Sequence, residues 1–232
     1  MIDVAPFESL GRFDNDWLNA RYHFSFSGYH DPKRNGVGAL LVWNDDVIAP
    51  GRGFGFHPHR DMEIVTYIRR GALSNRDSLG HDERIPAGTV QVMSAGTGIV
   101  HSEFNREAEP ITVFQIWILP AEQGGAPTYH TVPLEAVADG PGFVALASGR
   151  KGVKAAPIRQ DASVLRAVIP AGGKTSHKLE PGRHAYLVAN SGDYAVNGVK
   201  VKARDGVHAS DVASLEIVAE TQAEIILVDV PS

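Results

Sequence analysis

The sequence predicts an all-β protein, and three features predict it. Glycine (24) and proline (14) punctuate the 232 residues throughout, the apolar segments between them are short, and no long stretch carries the 3.6-residue period of an amphipathic helix. Seven segments read as strands in order: Ala39–Trp43, Met62–Ile68, Thr89–Met93, Ile111–Leu119, Val164–Ile169, His184–Ala189 and Glu224–Val230. Each is about five to nine residues long and rich in Val, Ile, Leu, Tyr or Phe, the composition of a half-buried or fully buried pleated surface. Ile111–Leu119 is apolar on both parities, which suits a strand covered on both faces, in a sandwich or between two domains. Helical signals are confined to one turn over Leu134–Ala138 and another around Trp17-Leu18-Asn19.

At this length the prior is one large or two small domains. A compositional break lies between Pro120 and Pro133, where Glu122-Gln123-Gly124-Gly125-Ala126-Pro127 reads as an exposed connection, giving an N-terminal unit of residues 1–125 and a C-terminal unit of 126–232. An internal echo supports two halves: Glu63-Ile64-Val65-Thr66-Tyr67-Ile68 runs to Gly71 as His184-Ala185-Tyr186-Leu187-Val188-Ala189 runs to Gly192.

Composition excludes several function classes. With no cysteine there are no disulfides, thiolate nucleophiles, zinc ribbons or iron–sulfur clusters, and His, Asp and Glu are the strong side-chain ligands that remain. A chain this long buries roughly 70% of its unfolded surface and needs no structural metal, so a metal site would be functional. Lys+Arg 22 against Asp+Glu 27, a net charge of −5, argues against a nucleic-acid partner held by phosphate neutralisation. No apolar run reaches the roughly 18 residues of a membrane span, and Met1-Ile2-Asp3-Val4-Ala5-Pro6 lacks the features of a signal peptide, so a cytoplasmic protein without a membrane partner is expected. The absence of heptads or a self-complementary patch points to a monomer.

Two short motifs carry chemistry. In His57-Pro58-His59 the imidazoles stand at i and i+2, which in an extended strand puts both on one face roughly 6.5 to 7 Å apart at Cα. Pro58 holds the backbone extended and belongs at an edge or a bulge. With ten histidines in the chain, about 0.4 such pairs arise by chance, so this spacing needs a second pair beside it. His101-Ser102-Glu103 supplies it, after the Gly-rich Ser94-Ala95-Gly96-Thr97-Gly98. If the two segments face each other, three nitrogens and one oxygen converge on a single divalent transition metal: Fe, Mn, Ni, Cu, Co or Zn. Mg and Ca prefer oxygen and Cu(I) prefers sulfur. A six-coordinate ion would keep two positions open, as in a catalytic rather than a structural site.

These residues resemble a known family. Gly51, five residues, His57, one residue, His59, three residues and Glu63 follow the first cupin motif, with the closing glycine one residue late at Gly71. Gly80, five residues and Pro86-Ala87-Gly88 open the second motif, and His101, three residues, Asn105 close it. The spacer between Gly88 and His101 is twelve residues where the general motif has two, and in this the chain resembles the pirins. So do the Trp17-to-Pro32 stretch with His23-Phe24-Ser25-Phe26 and the run Gln115-Ile116-Trp117-Ile118-Leu119-Pro120. The resemblance implies a bicupin: two cupin-type β-barrel (double-stranded β-helix) domains packed together, with a metal on His57, His59, His101 and Glu103 of the N-terminal barrel and Glu63 outside the ligand set. It further implies, for bacterial members, a quercetin 2,3-dioxygenase that cleaves a flavonol with dioxygen and releases carbon monoxide, Glu103 serving as ligand and candidate base. Some members instead act in transcriptional or signalling complexes, so a metal-bearing protein-binding cofactor is the competing class; a cupin isomerase or epimerase is a third.

Other candidates carry plainer readings. Asp61 and Glu63 fall on the ligand parity and could orient an imidazole, with solvated carboxylates as the rival. Met93, Ile99, Phe56 and Phe104 read as ordinary core. His23, His30, His81 and His130 read as hydrogen-bonding or surface residues. Shifting by the repeat offset places Lys178 and Glu180 opposite His57 and His59, so the C-terminal half is expected to lack a metal site unless a small insertion brings His177 into register.

Overall fold

A computed structural model describes residues 1–136 and 142–232 of the chain. Two cupin-type domains stand side by side, each a seven-stranded sheet facing a four-stranded one. In the N-terminal domain the larger sheet runs Thr128–Pro133, Thr89–Ser94, Glu63–Arg70, Ile111–Ile118, Leu40–Ile48, Leu18–Tyr22, Gly11–Asp14. The smaller runs Gly53–His59, Ile99–Phe104, Ala72–Asp77, Asp82–Pro86. The C-terminal domain repeats this plan with Ile2–Ala5, Gly206–Ser210, Arg183–Ser191, Ala223–Pro231, Ser163–Ile169, Val144–Ser148 and Ala156–Pro157 against Lys174–Lys178, Ser214–Ala219, Tyr194–Val196 and Val199–Val201.

The repeat is visible at matched hairpins. Glu63–Arg70 turns through Gly71 at φ 78°, and Arg183–Ser191 turns near Gly192 at φ 80°. A Cβ at Gly71 would lie 2.5 Å from Ile111, and one at Gly192 would lie 2.1 Å from the Gln222 carbonyl. Both positive φ and close approach therefore demand glycine.

Each domain lends the other a strand. Ile2–Ala5 pairs with Gly206–Ser210, and Thr128–Pro133 pairs with Thr89–Ser94. The expected 125/126 boundary is thus crossed twice, because strands at the chain start and just beyond the linker complete the opposite sheets. The two seven-stranded sheets share one core, with Trp43, Phe114 and Ile116 packed against Tyr186, Val188 and Val228. This burial covers the outer face of Ile111–Ile118, while Ile111 and Val113 fill the interior on the other face.

Two expectations meet different outcomes. Around Trp17 the chain forms the strand Leu18–Tyr22, whose buried Leu18, Ala20 and Tyr22 alternate with partly exposed Asn19 and Arg21; the period is two, not 3.6, and the expected turn of helix is absent there. Leu134–Ala136 makes a single 3-10 turn, and Val137 and Ala138 lie outside the described residues. Among the described residues no helix is long and apolar enough to cross a membrane.

The interiors of the two domains differ. The C-terminal interior is one apolar cluster running through Leu165, Leu187, Tyr194, Leu215 and Leu227. The N-terminal interior is split into a larger cluster around Ile48, Leu73 and Val113 and a smaller one of Ile64, Met93, Ala95 and Ile99. Polar and ionisable side chains occupy the N-terminal interior beside these clusters, among them buried Asn44, Asp46, His101 and Glu103.

Candidate metal centre

The strand Gly53–His59 lies at the edge of the four-stranded sheet, where Pro58, lacking an N–H, interrupts no ladder on its outer side. It pairs antiparallel with Ile99–Phe104, setting His57 directly opposite His101 and Ile99 opposite His59. A bulge follows: three steps from His57 back to Phe54 match two from His101 to Glu103. Alternation then returns His57 and His59, and His101 and Glu103, to the inward face. Ligand-bearing nitrogens of His57, His59 and His101 all lie within 4.8 Å of one another, with ring centroids 4.5 to 5.0 Å apart.

Hydrogen bonds fix which nitrogens face inward. His57 Nδ1 donates to the Gly55 carbonyl at 2.8 Å and His101 Nδ1 to the Asn75 side-chain oxygen at 3.2 Å. Each acceptor selects the tautomer whose Nε2 lone pair is free. Burial, with the neighbouring imidazoles, pushes His59 and His101 down to about 4. Both rings are thus neutral at neutral pH, the form that can ligate a metal.

Glu103 is buried, and its Oε2 accepts from Gln115 Nε2 at 2.8 Å; Gln115 Oε1 in turn accepts from Trp117 Nε1 at 3.1 Å. Burial pushes the carboxyl up, against the hydrogen bond from Gln115 and the two nearby histidines His57 and His59. Glu103 Oε1 and His101 Nε2 are both buried without a partner. Orphaned acceptors in a native interior call for a missing donor or cation, and a divalent ion satisfies both at once. The structure thus brings His57, His59 and His101 together as one cluster, with Glu103 beside it on the strand of His101.

His57, His59 and Glu103 open on a cavity of about 150 Å³ walled also by Phe26, Phe54, Trp117, Asn44, Asp46 and Gln115. Burial first, then the charges of Asp45 and Glu103, raises Asp46 well above the ordinary carboxylate range. It lines the cavity with Oδ1 unpartnered.

Residues 4–118 match the family model described as Pirin, and residues 145–230 match that of the quercetinase C-terminal cupin domain. A pirin-like protein from Caulobacter vibrioides is 50% identical over 230 residues, covering 99% of either chain. The chain belongs to the pirin family. A protein named quercetin 2,3-dioxygenase from Escherichia coli strain K12 is 38% identical to this pirin over 232 residues, 100% of this chain and 99% of the other. The crystal structure of bacterial pirin YhhW from Escherichia coli, in complex with nickel(II), superposes with a TM-score of 0.92 at 37% identity, covering 100% of this pirin and 99% of that chain. The three-histidine site here has the donor set for one divalent transition metal.

Several secondary readings need correction in this pirin. Glu63 and Asp61 do not orient an imidazole. Glu63 is buried and accepts from Ser94 Oγ, and Asp61 accepts from the Gly124 N–H at 2.6 Å, while Arg159 donates to the Gly124 carbonyl at 2.9 Å. Asp61 and Arg159 pin the connection between the halves at Gly124. Phe56 is not core: it is 64% exposed, because alternation along the edge strand turns it away from the face of His57. His23 takes the expected hydrogen-bonding role, its Nδ1 lying 3.0 Å from the Tyr186 hydroxyl, whereas His81 is part-buried, pairing with Asp77 at 2.8 Å and stacking on Tyr129. In the C-terminal half His177 does reach the strand corresponding to His57, but its Nε2 lies 2.8 Å from Asp229, which also binds Arg183 at 2.5 Å. An ion-pair cluster takes up that imidazole. Asn75 and Gln115, which orient His101 and Glu103, were not legible as site residues, since no local spacing links them to the ligands.

Proposed function

We propose that this pirin is a metal-dependent dioxygenase that cleaves a flavonol such as quercetin with release of carbon monoxide, its ion held by His57, His59, His101 and Glu103. The observation that carries the reading is the pair of buried, unpartnered acceptors, His101 Nε2 and Glu103 Oε1, beside a cavity with aromatic walls. Relatives named for this activity support it. When bound, a divalent transition ion supplies Lewis acidity and a centre for dioxygen chemistry.

The chain's own residues do the rest. Phe26, Phe54 and Trp117 offer edges and faces to a planar aromatic ring. A cavity of about 150 Å³ is smaller than the roughly 300 Å³ of a common ligand pocket, so the flavonol enters by its hydroxyl-bearing edge and leaves the remainder in the mouth. Glu103 Oε1 receives the 3-hydroxyl proton; a cation beside it favours the carboxylate form needed for that step. Gln115, held by Trp117, keeps the carboxylate aimed. Asp46, whose carboxyl is raised by burial, hydrogen-bonds a substrate oxygen when protonated.

Protein reconstituted anaerobically with Fe, Mn, Ni, Cu, Co or Zn and then given quercetin and air should consume oxygen and release carbon monoxide with at least one metal. No turnover with any of them would overturn the reading and favour a metal-bearing protein that docks a macromolecular partner. Glu103→Gln protein that keeps its metal and full turnover would remove the base role.

A further inference from the structure

A second cavity lies between the domains, apart from the metal centre and sharing no lining residue with it. It measures about 280 Å³ and is walled by the loop carrying Lys33, Arg34 and Val37, by His23 and Phe24, and by His184, Tyr186 and His208 of the other domain. We propose that this cavity binds a small oxyanion, of carboxylate or phosphate type, whose charged end meets Arg34 and His23.

Three observations carry it. His23 is 1% exposed and its Nε2 has no partner, while its Nδ1 lies 3.0 Å from the Tyr186 hydroxyl. The Tyr186 hydroxyl proton has no other acceptor recorded in the structure, and burial holds that phenol well above its ordinary value, so Tyr186 donates to Nδ1. The ring proton of the neutral imidazole then sits on Nε2, a buried donor lacking an acceptor. Arg34 repeats the pattern: Nη2 donates to Ser9 Oγ at 3.3 Å and Nε stands 3.9 Å from Asp31, but Nη1 is buried without a partner. Lys33 adds an ammonium to the wall, and His184 Nδ1 and His208 Nε2, 3.0 Å apart, share one proton. Asp3 is the one carboxylate among the lining residues and Asp31 stands beside Arg34 Nε, so the unpartnered Arg34 Nη1 and His23 Nε2, rather than net charge, set the preference. Unpaired donors, one of them on a guanidinium, select an acceptor-rich anion, and a cavity of about 280 Å³ admits one the size of benzoate or phosphate. Phe24 and Val37 provide apolar wall for a ring.

Isothermal titration with inorganic phosphate and with benzoate, benzamide serving as the neutral control, tests this, together with ring-proton NMR of the histidines. One or both anions should bind and shift His23, His184 and His208. Benzamide should not bind. Arg34→Gln should weaken binding tenfold or more, while His57→Ala, which disrupts the metal centre, should leave it intact. Phosphate alone binding would identify a phosphate-type site, and benzoate alone a carboxylate one. Failure of both at 10 mM, retention in folded Arg34→Gln, absence of His23 shifts in the wild type, or loss in His57→Ala would each overturn the proposal. None of these outcomes depends on dioxygenase activity.

Discussion

Asn75 decides which nitrogen of His101 is left for the three-histidine cluster, and it does so with a neutral amide on a neighbouring strand. Partners of this kind set ligand orientation and are worth about 10–100-fold in metal affinity. Asn75→Ala should therefore weaken nickel binding by at least about tenfold in a calorimetric titration while the protein stays folded; unchanged affinity would contradict the assignment. His23 gives a pH-dependent counterpart. Burial, with the charges of Arg34, Arg204 and Arg69, pushes it down to about 3, whereas the unfolded chain titrates it near its ordinary value of about 6.5. Between these values the unfolded state binds a proton that the folded state refuses, so this residue's contribution to stability is complete above 6.5 and falls with acid. Asp46 acts in the opposite sense: its raised carboxyl keeps a proton in the fold, and acid favours the folded state there. The ring signals of His23 should stay flat between about pH 8 and pH 5, and a midpoint near 6.5 would contradict its burial. At this scale the clustered histidines were legible because the i, i+2 spacing of His57 and His59 is local in sequence. Asn75 and Gln115 were not, because their relation to the ligands is made only by sheet pairing.

The ligands are brought together by an edge strand that bulges once between Phe54 and His57. The start of that strand leaves no room: a Cβ on Gly53 would lie 2.1 Å from the Glu103 carbonyl oxygen and 2.6 Å from Phe104 Cα. Gly53→Ala should push Gly53–His59 off Ile99–Phe104 and separate His57 from His101. Displacement near 1 Å costs about 100-fold in a catalytic constellation, so turnover and metal affinity should both fall well beyond the effect on the thermal midpoint. Equal affinity in the variant would show that the pairing does not position the site. Strand positions were readable from short apolar runs, and the edge location of Gly53–His59 from Pro58. The Trp17 region was misread because two polar residues between three buried ones give few apolar positions in which to see a period of two. The bulge carries no sequence mark beyond Gly55, and it is what lets Phe54 and His57, three residues apart, line the same cavity.

Across the whole molecule, exchange of terminal and linker strands and a shared core make each domain depend on the other. Asp45 sits fully buried at the junction, accepting from Arg69 of its own domain and from Arg204 of the other at 2.6 Å. Asp45→Ala strands the Arg69 cation, itself largely buried over Phe114, and should cost about 3–5 kcal/mol by denaturant titration. Unfolding of the wild type should be a single transition by calorimetry; two separated transitions would contradict the shared core. The two-domain layout was visible in the echo of Glu63–Ile68 and His184–Ala189. The strand exchange was not, since nothing local in Ile2–Ala5 or Thr128–Pro133 reveals which sheet receives it.

The account rests on one convergence, and X-ray diffraction from metal-soaked crystals, recorded at the absorption edge of the added ion, tests it most directly. A single anomalous peak within bonding distance of the inward nitrogens of His57, His59 and His101 and of Glu103 Oε1 is predicted. A peak elsewhere, or one that leaves the Glu103 carboxylate on Gln115 alone with no bond to the ion, would contradict it.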